Sequence, residues 1–321
     1  MDIVLLLLGI GVLVAGGEFL VRGAVEFSHS LKISPLVVGM TIVAFGTSAP
    51  ELLVSLTSSL NGNPGIAIGN VVGSNIANIA LVLGITVLIF PIVADKHAKN
   101  IDFPMMIVST LLLFFFIRDG ELSFMEGAIF FTMVVLFTFA IIRNSRRKMK
   151  KQEAKTLEDE RKKMPYWKSL LFLHLGFVGL FFGAAWFIQG AVGLADTFLA
   201  DNPEKDVIIG VTVVAFGTSA PELVASCVAA YKKETDMAVG NLIGSNIFNI
   251  LVVLGITSMV KPIPVTKEII EFDMIWVIGV AFLLMFVLAV GKKIGKIKGA
   301  ILVSTYIAYI TIIVLRVKGI I

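Results

Sequence analysis

Sulfur and imidazole are scarce in this chain, which has one cysteine, Cys227, and three histidines, His29, His97 and His174, in 321 residues. A lone thiol closes no internal disulfide, and its apolar helical surroundings point to a small buried side chain. The histidines are scattered near expected span ends and form no ligand set, which argues against a zinc or copper site. No His-Glu-x-x-His segment and no Ser-His pairing are present, so an intramembrane enzyme is disfavoured. Charge is sparse too, at 16% of residues against 57% hydrophobic. With a mean hydropathy of +0.94, there is too little polar surface for a water-soluble globule, and the chain reads as a polytopic membrane protein. The net charge of +4 fits basic loops that orient membrane spans, not a nucleic-acid partner.

What is present is said twice. The segment 39–85, with GMTIVAFGTSAPELL and GNVVGSNIANIALVLGI, returns at 210–256 as GVTVVAFGTSAPELV and GNLIGSNIFNILVVLGI, 171 positions later without a gap and with 26 identities in 47 positions. Asp102 and Asp273 keep that offset, as do Gly120 and Gly291, while Gly23-Ala24-Val25 matches Gly190-Ala191-Val192 at an offset of 167. A duplicated polar core inside apolar sequence is the pattern of a transporter site.

A spanning helix needs about 20 apolar residues. Ten segments qualify, with cores Ile3–Val25, Leu36–Leu60, Ile66–Phe90, Ile101–Ile117, Met125–Ile142, Leu170–Val192, Val207–Ala230, Met237–Val260, Met274–Val290 and Ala300–Leu315. The opening MDIVLLLLGIGVLVAGG carries an acid and no A-x-A-like cleavage site, so it is expected to be the first span and not a removable leader. Residues 143–168 form the one long polar stretch and hold eleven of the 27 Lys and Arg. With that linker in the cytoplasm, 21 of the 27 basic residues fall inside, as the positive-inside tendency requires. Both termini are then outside, in the plasma (inner) membrane. Five spans per half is an odd number, so the halves enter in opposite senses. The expected fold is an all-α polytopic membrane protein of ten transmembrane helices as two inverted five-helix repeats: residues 1–142, the basic cytoplasmic linker 143–168, and residues 169–321.

The polar core explains itself residue by residue. Pro50 and Pro221 lack an amide hydrogen, and each ring collides with the carbonyl four residues back, at Gly46 and Gly217, so the helix breaks there. A broken helix survives in lipid where it lines a polar cavity or binds an ion. Ala44, Thr47, Ala215 and Thr218 are thus candidates to offer backbone oxygens. Thr47, Ser48 and Glu51 share a helical face, as do Thr218, Ser219 and Glu222. Ser74 with Asn78, and Ser245 with Asn249, are four apart and face one way, suited to close the cage from the other side. All of these are hard oxygen donors of the kind that sodium and calcium take. Two carboxylates carry −2 when ionised, which matches one Ca²⁺ or is shared among several Na⁺. No Lys or Arg lies in the second, third, seventh or eighth span, so neither acid has a basic neighbour in its own segment. Glu18, by contrast, has Arg22 four residues on, the favourable order for a local helical pair.

The paired G-T-S-x-P-E and G-N-x-x-G-S-N-I-x-N blocks resemble the α-repeats of the calcium/cation antiporter superfamily, and their spelling resembles its prokaryotic sodium/calcium exchanger branch. The resemblance covers both halves. It implies one calcium exchanged for several sodium ions, with alternating access by sliding of the first and sixth helices past the rest. It implies that Glu51 and Glu222 bind both ions, that Ala44, Thr47, Ser48, Ser74, Ala215, Thr218, Ser219 and Ser245 supply the sodium positions, and that Asn78 and Asn249 stand at the centre. Some relatives carry Asp where Asn249 stands; two formal charges in place of three point to potassium independence. The linker is too short for a large regulatory domain. Calcium/proton antiport through the same two glutamates is the alternative, since a carboxylate that binds calcium also binds protons. A channel would conduct without a counter-ion. No cofactor is implied; the ions are cargo and the bilayer is the surroundings, and no obligate protein partner is evident.

Overall fold

The computed structural model describes residues 1–93, 98–153, 164–198, 215–290, 293–317 and 320, with the backbone alone at 151–153, 198, 215 and 317. Lys96, His97, Lys205, Gly291, Lys292 and Lys318, the linker stretch 154–163, the loop beyond Phe198 and the start of the expected seventh span (207–214) lie outside the described residues.

The described residues are nearly all helix. The first half runs α1 (Asp2–Leu31), α2 (Pro35–Thr47), α3 (Ala49–Leu60), α4 (Pro64–Ile89), α5 (Ala98–Asp119) and α6 (Phe124–Glu153). The second runs α7 (Tyr166–Phe198), α8 (Ala215–Thr218), α9 (Ala220–Tyr231), α10 (Thr235–Val260), α11 (Ile269–Ala289) and α12 (Lys296–Val317). Among the described residues eight helices are long and apolar enough to cross a membrane, or nine if the bent pair α2–α3 is one span; α9 is a shorter apolar helix that follows the undescribed 207–214. The helix α6 runs on into the polar stretch to Glu153, so the linker begins as helix.

Strictly all-helical it is not. Strand β1 (Glu121–Leu122) pairs antiparallel with β2 (Ile263–Pro264), in the register Glu121 to Pro264 and Leu122 to Ile263, and Ile92 bridges Ile294. Each pairing joins a loop of one half to a loop of the other, and Ile92 and Ile263 are one repeat offset apart. Loop backbones buried where the halves meet must pair with something, and here they pair with each other.

Proline breaks the second span as its position requires. The backbone leaves the helix at Ser48 (φ −86°, ψ 4°), Pro50 follows in the first turn of α3, and α2 and α3 are bent by 41°. Ser219 repeats the step with φ −88° and ψ 3° ahead of Pro221. The turns after these helices also match. Gly62 ends α3 at φ 90° and Lys233, its mate, ends α9 at φ 65°. Glycine occupies the left-handed region freely, whereas lysine is strained there by its Cβ.

The spans sort into a centre and a periphery. Of the apolar windows of α4 and α10, 72% and 83% are buried, against 22–39% for the six other long spans. Glycine lets α10 lie directly on α2: a Cβ on Gly244 would sit 2.7 Å from Met40 Cα. At the edge, α1 and α7 pack along their whole length. A Cβ on Gly16 would fall 2.7 Å from the Leu180 amide nitrogen, and one on Gly23 2.7 Å from that of Leu173. Rising numbers on α1 meet falling numbers on α7, so the two run antiparallel.

Glu18 does not pair with Arg22 as its spacing suggests. It forms a salt bridge with Lys232 at the end of α9, and the Arg22 guanidinium lies 5.4 Å over the Phe172 ring. Packing of α1 against both α7 and α9 offers each side chain a partner across a helix interface, and these displace the local pair. Cys227 is partly buried and lies 3.6 Å from the Thr86 hydroxyl.

Candidate cation site

Two broken helices and two unbroken ones bring the repeated polar residues together. The break at Ser48 lets α3 begin with Glu51 in its first turn, and the break at Ser219 does the same for Glu222 in α9. On α4 and α10 the helix loosens to a π-type stretch at Ala77–Val82 and Asn249–Leu254. Such bulges re-aim a side chain without ending the helix; here they carry Asn78 and Asn249.

Burial is nearly complete. Glu51 is 1% exposed and Glu222 0%, and Thr47, Ser48, Ser74, Asn78, Ser219, Ser245 and Asn249 are all buried, while Thr218 is half-buried. Ala215 opens α8, four residues before the break at Ser219. The two acids act on each other electrostatically, and Glu222 approaches the Thr47 and Ser48 hydroxyls without completing a hydrogen bond to them. Glu222 of the second half therefore lies beside Thr47 and Ser48 of the first, within electrostatic reach of Glu51.

Other contacts cross the same interface. Thr47 Oγ1 lies 3.3 Å from the Ala44 carbonyl oxygen, 3.3 Å from Asn241 Oδ1 and 3.4 Å from Ser245 Oγ. The Ala44 carbonyl also accepts the Ser48 amide at 3.0 Å, so a cation there would share that oxygen with the chain.

Nine buried side-chain atoms of the expected set have no hydrogen-bond partner. They are both oxygens of Glu51 and of Glu222, both polar atoms of Asn78, Ser48 Oγ, Ser219 Oγ and Asn249 Oδ1. An unpaired buried neutral group costs about 1–3 kcal/mol and a charged one more. Eight of the nine are oxygens, carried by helices of both halves, and oxygens of these kinds suit a hard cation. Among the described residues no three His, Cys, Asp or Glu side chains cluster.

Two repeat-related pairs escaped the reading of the sequence. Asn70 donates through Nδ2 to Ser55 Oγ at 3.0 Å and to the Glu51 carbonyl at 3.2 Å, and Asn241 donates to Ser226 Oγ at 3.1 Å. Asn241 then turns Oδ1 toward Thr47. The signal was available, since all four residues recur at the 171 offset. Recurrence alone does not separate a residue that holds the site from one that lines it.

Known proteins resemble the chain along its length. Residues 1–143 and 168–315 match the family described as sodium/calcium exchanger protein. The putative antiporter CaxA of Alkalimonas amylolytica is 36% identical over 313 residues, covering 95% of this chain and 96% of that protein. The sodium/calcium exchanger MaX1 of Methanosarcina acetivorans is 30% identical over 352 residues, covering 97% and 98%. A solved structure of the sodium-calcium exchanger NCX_Mj, soaked with 2.5 mM Na⁺ and 0.1 mM Ca²⁺, superposes with a TM-score of 0.81 at 29% identity, covering 97% of each chain.

Proposed function

Because the chain belongs to the sodium/calcium exchanger protein family, we propose that it exchanges calcium for sodium by alternating access, as calcium efflux driven by sodium influx. It is a multi-pass membrane antiporter of the prokaryotic calcium/cation branch; the counter-ion, the direction and the ligand set are the proposal. The observation that carries it is the pair of fully buried acids, Glu51 and Glu222, whose four oxygens have no hydrogen-bond partner. Their own segments contain no Lys or Arg.

Glu51 and Glu222 bind both ions. The hydroxyls of Thr47, Ser48, Ser74, Thr218, Ser219 and Ser245, with the carbonyls of Ala44 and Ala215, complete the sodium positions, and Asn78 and Asn249 stand between them. Two bare carboxylates in so low a dielectric are very unfavourable. Reorientation is therefore confined to loaded forms, and exchange becomes obligatory. More than two Na⁺ per Ca²⁺ moves net charge, worth about 2.3 kcal/mol per charge per 100 mV.

The architecture in this reading is ten spans in two inverted halves, 1–142 and 169–321, joined by a cytoplasmic linker at 143–168, with both termini outside. Support comes from α1 and α7, which are repeat-related by the 167 offset and pack antiparallel. In this reading α8 and α9 belong to the expected seventh span, Val207–Ala230. Each only 28% buried and seamed together by glycine, α1 and α7 suit a pair that slides as one body past the core.

The test is isotopic calcium uptake by purified protein in liposomes. Uptake is expected when sodium is trapped inside and diluted outside, and not when a pH gradient is the sole driving force. Uptake driven by the pH gradient alone would replace this reading with calcium/proton exchange.

A further inference from the structure

Beside the site stand two more repeated amides, Asn75 and Asn246, to which the exchange reading gives no task. Asn75 is 2% exposed and follows Ser74 on α4. Its Nδ2 donates to the backbone carbonyl of Asn246 at 3.3 Å. A carbonyl only accepts, so this contact decides which way the Asn75 amide is turned. Asn75 Oδ1 then faces the other way and accepts from Asn249 Nδ2 at 3.2 Å. With its amino group so engaged, Asn249 is left with Oδ1, which is wholly buried and has no protein partner. The polarity runs without ambiguity from a backbone carbonyl of one half, through Asn75, to a single side-chain oxygen.

The mirrored arrangement is not made. Asn246 donates instead to the Leu242 carbonyl of its own helix at 2.8 Å, its Oδ1 has no partner, and neither does either polar atom of Asn78. The relay through Asn75 is thus not a packing habit that the motif imposes on both halves.

We propose that Asn75 is a positioning residue that holds the Asn249 amide with its carbonyl oxygen, not its amino group, toward the transported cation. The inference rests on the exchange reading, which puts Asn249 among the ligands. A half-turn of that amide would aim an N–H₂ group at a cation and change a ligand into a repelling dipole. A carboxylate at 249 needs no such guidance, because it offers an oxygen whichever way it is turned.

That difference supplies the test. Asn75→Leu, which removes the acceptor at similar volume, and Asn75→Ala are each made with Asn249 and with Asn249→Asp, and sodium-driven calcium uptake is measured in liposomes from monodisperse protein. With Asn249 present, the apparent KM for calcium is expected to rise about tenfold, with the maximal rate held within about threefold. With Asn249→Asp the same substitutions are expected to shift KM by less than about twofold. An equal shift in both backgrounds, or none in either, would overturn the assignment while leaving exchange intact. A parent chain that carries no calcium under a sodium gradient would remove the exchange reading, and this inference with it.

Discussion

The two halves share their polar residues but do not treat them alike. The pairs Asn70–Ser55 and Asn241–Ser226 are near copies, at 3.0 and 3.1 Å. Five to eight residues further along, the likeness ends: Asn249 is bonded to Asn75, whereas the side chains of Asn78 and Asn246 do not bond each other and lie beside a narrow cavity walled by Ile79, Leu83, Leu242 and Ile243. Identical residues set the same chemistry in each half, and one conformation of the chain satisfies the mirrored bonds only once. In the inverted-repeat reading proposed above, halves that open to one side of the membrane at a time take different conformations. The serine-bonded asparagines are alike in both halves; the central asparagines are not.

The largest test of that comparison lies where the halves are alike. Glu51→Gln and Glu222→Gln are each expected to lower calcium uptake by at least about a hundredfold in folded, monodisperse protein, since one buried charge of the cage is lost. Full activity in either variant would remove that acid from the site. Next in size is the seam of α1 and α7. Gly16→Leu drives a side chain into the α7 backbone near Leu180 and is expected to cost about 1–3 kcal/mol, read as a lower thermal midpoint with slower transport. Gly11→Leu, with nothing within 4 Å, is the matched control and is expected to change neither.

A subtler effect is expected at the asymmetric centre. Asn249→Asp is expected to leave a working carrier whose sodium, potassium and proton dependence is altered, measured by titrating uptake against each ion; an unchanged profile would make the asparagine silent. Smallest is the pair of matched turns. Lys233→Gly is expected to raise stability by about 1 kcal/mol and Gly62→Ala to lower it by about the same, because both positions hold positive φ. Equal midpoints for the two variants would show that the turns do not differ as their residues suggest.

Much of this was legible beforehand because it rests on backbone chemistry that no tertiary context overrides. Proline at 50 and 221 forced the breaks, and the apolar runs forced helices. The 171 offset brought two acids into register. What stayed hidden depends on which of several partners wins. Glu18 has a basic residue four positions on, yet the packing of α1 on α9 brings Lys232 within reach. Asn70 and Asn241 recur at the repeat offset, but recurrence does not say that they bond Ser55 and Ser226. The short ladder between β1 and β2 depends on a contact between the halves that neither half encodes alone.

The central claim is that one hard cation is held between two acids supplied by opposite halves. Strontium diffracts anomalously and takes the same oxygen ligands as calcium, so a crystal soaked in it tests the claim directly. The account expects a peak in contact with carboxylate oxygens of both Glu51 and Glu222, at distances slightly longer than the roughly 2.3–2.6 Å of calcium. A peak bound by only one of them, or lying elsewhere in a crystal of transport-competent protein, would contradict it.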